Sequence, residues 1–181
     1  MLVISAMLLA VFAAVAIAGF IRFNFTDGGD VVGVEKPAPE ITDLAITIDD
    51  QTFRISSGAA EISAAPGSAP HSALRLVGEP VMGDLDGDGD SDAALLVAND
   101  PGGSGTFYYA VIAINDAGTF HASNAVPLGD RIAPQTVAFT DGHFVYNYAD
   151  RKPGEPMSEP PSVEKNVTIS VDKATGLISA T

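Results

Sequence analysis

Beyond residue 41 the apolar residues never keep a helical spacing for ten positions; they fall into short runs separated by Gly, Pro, Asn and Asp. Runs of this length, rich in β-branched and aromatic residues, are what strands of a packed sheet require, so a mainly β fold is the expectation. The runs are LAITI (44–48), TFRIS (52–56), AEIS (60–63), ALRLV (73–77), AALLVA (93–98) and TFYYAVIAI (106–114). They continue as TFHAS (119–123), QTVAF (135–139), HFVYNYA (143–149), NVTISV (166–171) and LISA (177–180). Asp116-Ala117-Gly118 and Asp141-Gly142 lie between runs, where a hairpin turn needs positive φ, and Lys173-Ala174-Thr175-Gly176 would close the last pair. The expected architecture is therefore one or two antiparallel sheets, sandwich- or barrel-like, with Leu, Val and Ile at alternate positions forming the inner face.

A different kind of segment precedes this pattern. Met1 to Ile21 carries no charge and a single hydroxyl, Ser5. At about 1.5 Å per residue its 21 residues reach roughly the 30 Å of a bilayer core. The competing reading is a cleaved signal peptide, with Ala16-Ile17-Ala18 as a small-x-small site. The absence of Lys or Arg ahead of the apolar run, and the run's length, favour an anchor, so one N-terminal transmembrane helix is expected at 1–21. Residues 22–41, with Gly28-Gly29 and Lys36-Pro37-Ala38-Pro39, read as a linker, and 42–181 as the β-rich domain.

Charge narrows the partners. Nine Lys and Arg stand against 23 Asp and Glu, a net charge of -14, so the surface repels nucleic-acid backbones and anionic lipid alike. Membrane association then has to come from the N-terminal segment. There is no Cys, which excludes a disulfide framework and lipid attachment through a thiol.

The densest chemical signal is Gly83-Asp84-Leu85-Asp86-Gly87-Asp88-Gly89-Asp90-Ser91-Asp92, with Asp at loop positions one, three, five, seven and nine and Gly at six. Calcium takes six to eight oxygens at about 2.3–2.6 Å, and odd-position carboxylates in a tight loop can converge on one centre. Asp84, Asp86 and Asp88 would give carboxylates and Asp90 its carbonyl. Asp92 would add a further carboxylate, directly or through water. Five negative charges in nine residues with no positive one would repel strongly unless a cation sat among them. Magnesium fits less well because it demands near-ideal octahedral geometry, and transition metals would call for His or Cys. Arg22, the nearest charge after the anchor, would by itself hold that flank in the cytoplasm. A calcium loop of modest affinity is occupied where calcium is abundant, which places the domain outside the cytoplasm, periplasmic or extracellular.

An EF-hand would have Glu at position twelve and helices on both sides; Leu95 stands there, and the flanks VMG and AALLV look like strands. The segment GDLDGDGDSDAALLV instead resembles the FG-GAP calcium loop of integrin-type β-propellers, in which a strand-loop-strand hairpin holds the ion. That likeness covers 15 of 181 residues and implies the ligands, not the architecture, since a propeller needs many more strands. GGSGTFYY, LGDRIAPQ and YADRKPGEPM resemble segments of uncharacterised exported bacterial proteins that also carry a DxDGDG loop, which implies a bacterial origin and no particular activity.

Catalytic patterns are thin. The stretch Pro101–Thr106 is glycine-rich but lacks the Lys of a phosphate loop, and Ser104 is not in a nucleophile elbow. His71, His121 and His143 have no spacing that pairs them with Asp130 or Asp150 as an acid-base set. The long irregular segment 150–161 places Arg151 and Lys152 side by side in an acidic chain, which makes it the candidate contact for a protein or envelope partner. Two functions follow as expectations: a membrane-anchored, calcium-binding β module with a structural or binding role, or an envelope-associated hydrolase with its site near that loop.

Overall fold

The computed structural model describes residue 41, residues 43–63 and residues 70–181, and every regular element among them is a strand. In order these are β1 (Asp43–Ile48), β2 (Gln51–Ser56), β3 (Ala59–Ser63), β4 (Pro70–Leu76), β5 (Val81–Gly83), β6 (Asp92–Asp100) and β7 (Phe107–Asp116). Then come β8 (Thr119–Ala122), β9 (Val126–Asp130), β10 (Ala133–Thr140), β11 (His143–Asp150), β12 (Val163–Val171) and β13 (Ile178–Ala180). All pairings are antiparallel, so the mainly β expectation holds. The anchor expected at 1–21 and nearly all of the linker at 22–41 lie outside the described residues. No helix among the described residues is long and apolar enough to cross a membrane.

Local chemistry explains the hairpins. Asp49-Asp50, Ser57-Gly58, Ala117-Gly118 and Asp141-Gly142 all have both φ values positive. Paired positive φ is the two-residue turn whose twist matches that of the flanking strands. These turns set β1-β2, β2-β3, β7-β8 and β10-β11 in register, with Ile48 opposite Gln51, Ser56 opposite Ala59, Asp116 opposite Thr119 and Thr140 opposite His143.

The larger sheet runs β1-β2-β3-β4-β6-β7-β8. Two short strands join beside this path: β5 pairs with β6 and β9 pairs with β7. Its terminal strands β1 and β8 come into contact, so the sheet curls into a half-barrel. The curl is filled by Leu44, Ile46, Phe53, Ile55, Leu95 and Val111 with their neighbours. Alternation on β1 follows directly, with Leu44, Ile46 and Ile48 buried and Ala45 and Thr47 exposed.

The smaller sheet, β10-β11-β12-β13, covers the outer face of β6 and β7. Phe144, Tyr146, Ile169 and Ile178 pack there against Ala94, Leu96, Ala110 and Ile112. Consequently β6 is buried on both faces from Asp92 to Asn99, which is why its sequence is a continuous apolar run instead of an alternating one. The Tyr146 hydroxyl reaches through this layer and donates to the Leu95 carbonyl at 3.1 Å, with the Val111 carbonyl at 3.4 Å. Burial pushes that phenol far above its ordinary value, so it remains a neutral donor. The unit Glu40–Thr181 holds every described member of both apolar clusters, so it has a hydrophobic core of its own.

Candidate metal centre

The acidic loop sits between β5 and β6, whose antiparallel register sets Gly83 opposite Asp92 and so brings both ends of the loop together. Its flanks are strands, as VMG and AALLV indicate, which separates it from a helix-flanked EF-hand loop. Inside the loop the backbone amides organise the carboxylates. Asp84 accepts from the Gly87 and Asp88 amides through Oδ1, at 2.7 and 3.1 Å, and from the Gly89 amide through Oδ2 at 3.1 Å. Asp86 Oδ1 accepts the Asp88 amide at 3.1 Å, and Asp88 Oδ1 accepts the Asp90 amide at 2.8 Å. These are the short Asx contacts that let a polar side chain stand in for a backbone turn. Gly87 at φ +76° and Gly89 at φ +98° supply the left-handed positions that wrap the chain around them.

The result is that Asp84, Asp86 and Asp88 each place a carboxylate oxygen within 4.8 Å of the other two, a group that could hold a metal ion. Oxygens around one calcium at about 2.3–2.6 Å are at most about 5 Å apart, so the spacing suits a shared cation. Asp84 and Asp86 are half-buried and Asp88 is exposed, which leaves the group open to solvent ions.

The remaining two acidic residues are placed differently. The carboxylate of Asp90 is outside the converging group, and its amide is taken by Asp88. Asp92 is fully buried and turned toward the protein: Oδ2 accepts the Leu85 amide at 2.8 Å and Oδ1 accepts the Asn115 amide at 2.9 Å. Burial pushes its carboxyl above the ordinary value, the Asn115 and Leu85 amides oppose that rise, and the Asp86 charge adds to it. Asp92 thereby ties the start of the loop to β7.

Four further residues shape the site without an obvious signature in the spacing. Leu85 is buried in the cluster between the sheets and fixes position two of the loop. Its signal in the sequence is that it is the one apolar residue among the aspartates. Asn115 donates from Nδ2 to the Ser91 carbonyl at 3.1 Å and accepts the Gly118 amide at 2.8 Å, linking the loop's end to the β7-β8 turn. Lys173, in the β12-β13 turn, brings its ammonium to 3.1 Å from where a Cβ on Gly87 would stand, so a cation of the other sheet overhangs the loop. Gly83 lies under the Phe139 ring, where an added Cβ would come within 2.4 Å of ring carbon. A lone glycine inside a strand is the usual sequence mark of such a close approach.

The other expected features fall elsewhere. His121 lies on β8 and His143 at the start of β11, in different sheets and both exposed; His71 lies in β4. In the 150–161 segment both cations have partners close by, Arg151 on backbone carbonyls and Lys152 on a carboxylate. Arg151 donates to the Glu159 carbonyl at 2.6 Å and to the Arg131 carbonyl at 2.9 Å, and Lys152 is 3.5 Å from the Glu155 carboxylate. Asp150 meets Lys165 at 2.6 Å, and this contact holds its carboxyl below the ordinary range. Ser104 sits in the turn after β6, where Asp100 accepts the Gly102 amide. No family model, curated protein or solved structure matches this chain.

Proposed function

We propose that the 84–92 loop binds a calcium ion, and that the β unit is a calcium-stabilised structural or binding module displayed outside the cytoplasm by an apolar N-terminal anchor. The observation that carries the metal reading is the convergence of Asp84, Asp86 and Asp88, held by loop amides so that one oxygen of each lies within 4.8 Å of the others. Three carboxylates in that space repel one another, and a dication turns the repulsion into attraction. In this reading Asp84, Asp86 and Asp88 are carboxylate ligands, the Asp90 carbonyl and water complete the shell, and Asp92 holds the ends of the loop from behind. The partly exposed, all-oxygen setting favours calcium, which tolerates flexible geometry, over magnesium, which does not. Anchoring by residues 1–21 and placement beyond the cytoplasm rest on the length of the apolar segment and on where calcium is plentiful.

The test is thermal unfolding of residues 40–181 in saturating calcium, in chelator, and in magnesium, alongside an Asp84→Ala, Asp88→Ala double variant. At free calcium about a hundredfold above its dissociation constant, one site adds about 2.7 kcal/mol. For a unit of this size that raises Tm by roughly 9 °C. The double variant should lose the calcium effect and be less sensitive to chelator. Equal Tm for the natural sequence in calcium and chelator would sink the reading.

A further inference from the structure

The two sheets close on one another at one end of β10 and part at the other. At the closed end the Phe139 ring rests on Gly83 of β5. Toward the other end, a bulge between Pro134 and Thr136 interrupts the pairing of β10 with β11. The chain between β4 and β5 also leaves the sheet, the last amide bonded to β6 being that of Val77, to the Leu96 carbonyl at 2.8 Å. Between these segments is an open cleft of about 370 Å³.

An open cleft of this size falls at the lower end of the range of small-molecule sites. Leu96, Leu128 and Ile132, all buried, line it, with Val81 and Val137 beside them. Tyr148 contributes an aromatic surface, and burial raises its phenol above the ordinary value, so it carries no charge near neutral pH. Among the described residues lining the cleft, Glu79 alone is charged, and it is exposed at the rim. The whole chain carries -14, which concentrates cations and repels anions around it. Addition of a peptide strand along β10 is opposed by Pro134 and the bulge, both of which blunt a sheet edge.

We propose that this cleft binds a small amphipathic amine, with an apolar chain or ring against Leu96, Leu128 and Ile132 and a protonated nitrogen at the rim beside Glu79. The cleft and its charge are present whether or not the 84–92 loop holds calcium. A carboxylate or phosphate ligand of the same shape would meet Glu79 with like charge and bind less well.

The experiment is a titration of residues 40–181 with n-octylamine, 1-octanol and octanoate, followed by NMR shifts of the Leu128 methyl and Tyr148 ring signals. Octylamine is expected to shift both signals saturably and to bind most tightly, with octanol weaker and octanoate weakest. Glu79→Gln should weaken octylamine about threefold, the scale of a rim ion pair, and leave octanol unchanged. Val137→Phe should abolish binding of all three by filling the cleft; Val77→Phe provides a second filling variant, and Tm reports whether each still folds. Absence of a saturable shift with any probe would overturn the proposal. So would octanoate binding as tightly as octylamine, an unchanged octylamine affinity in Glu79→Gln, or binding retained in a folded filling variant.

Discussion

Gly83→Ala pits two effects of known sign against each other. Gly83 is absent from the residues with positive φ, so alanine can adopt its backbone, and in open space the substitution would stabilise by about 0.4–1 kcal/mol through the unfolded chain. The space is not open: the new methyl would stand 2.4, 2.5 and 2.7 Å from three carbons of the Phe139 ring, where contacts of about 3.5–4.0 Å are favourable. The ring must therefore retreat by about 1 Å, and Phe144 opposes this from a centroid distance of 4.8 Å while itself fully buried. Overpacking of this kind costs about 1–3 kcal/mol, so the clash wins and the net loss is about 1–2 kcal/mol. With an unfolding entropy of about 2.1 cal/mol/K per residue, Tm falls by roughly 3–7 °C. The assay is a double-mutant cycle by thermal unfolding. Phe139→Ala alone is destabilising, but in its background Gly83→Ala should become neutral or stabilising, giving a coupling of about 1–3 kcal/mol. If Gly83→Ala costs the same in both backgrounds, or nothing in the natural one, the ring is not what requires glycine there.

Two further expectations concern the acids. Asp92→Asn keeps the shape but turns one acceptor into a donor, so either the Leu85 or the Asn115 amide loses its partner inside the protein; relief of the buried charge offsets part of this. A net loss of about 1–2 kcal/mol in denaturant unfolding is expected, and a variant as stable as the natural protein would contradict it. Asp130 and Asp150 have folded pKa values below the ordinary 3.8, through Arg131 and Lys165 respectively. A depressed carboxylate contributes stability that is present above the unfolded value and lost as pH falls through the folded one, so the share these two pairs contribute should decline below about pH 4, while the raised Asp92 works in the opposite direction. Lys165→Met returns Asp150 toward its ordinary value, and acid titration of Tm should then be flatter below that pH; an unchanged slope would show that this pair adds nothing.

Eleven strand-length runs were legible in the sequence and each overlies a strand, because β-branched and aromatic residues between turn-forming residues report local preference directly. What they could not report was long-range geometry. β9, with the sequence VPLGD, was not among the runs: Pro127 and Gly129 argue against a strand locally, yet the segment pairs with β7 around a bulge at Tyr108 and Tyr109. Alternation also fails on β6, where the curl of one sheet and the cover of the other bury both faces. At the candidate site, the spacing of Asp84, Asp86 and Asp88 announced a converging group, since that depends on local loop geometry. The inward turn of Asp92 did not show, because it depends on β7 supplying the Asn115 amide from 23 residues away.

The loop's position explains why cation binding and fold stability should be read by one measurement. It joins β5 to β6, and β6 is the strand whose opposite faces serve the two apolar clusters. Asp92, its first residue, is pinned to β7, while Leu85 packs between the sheets from inside the loop. On the other side, β5 ends at Gly83, the seat of Phe139 from the smaller sheet. A loop whose carboxylates repel one another pulls against all of these attachments, whereas a bound dication would draw the same carboxylates together in the conformation the attachments already hold. The ion would then act on the junction of both sheets, so its effect should appear as a shift of the whole cooperative transition and not as local ordering of the loop alone. Unfolding followed at Tyr146, in the core, and at a probe within the loop should therefore give the same calcium-dependent midpoint.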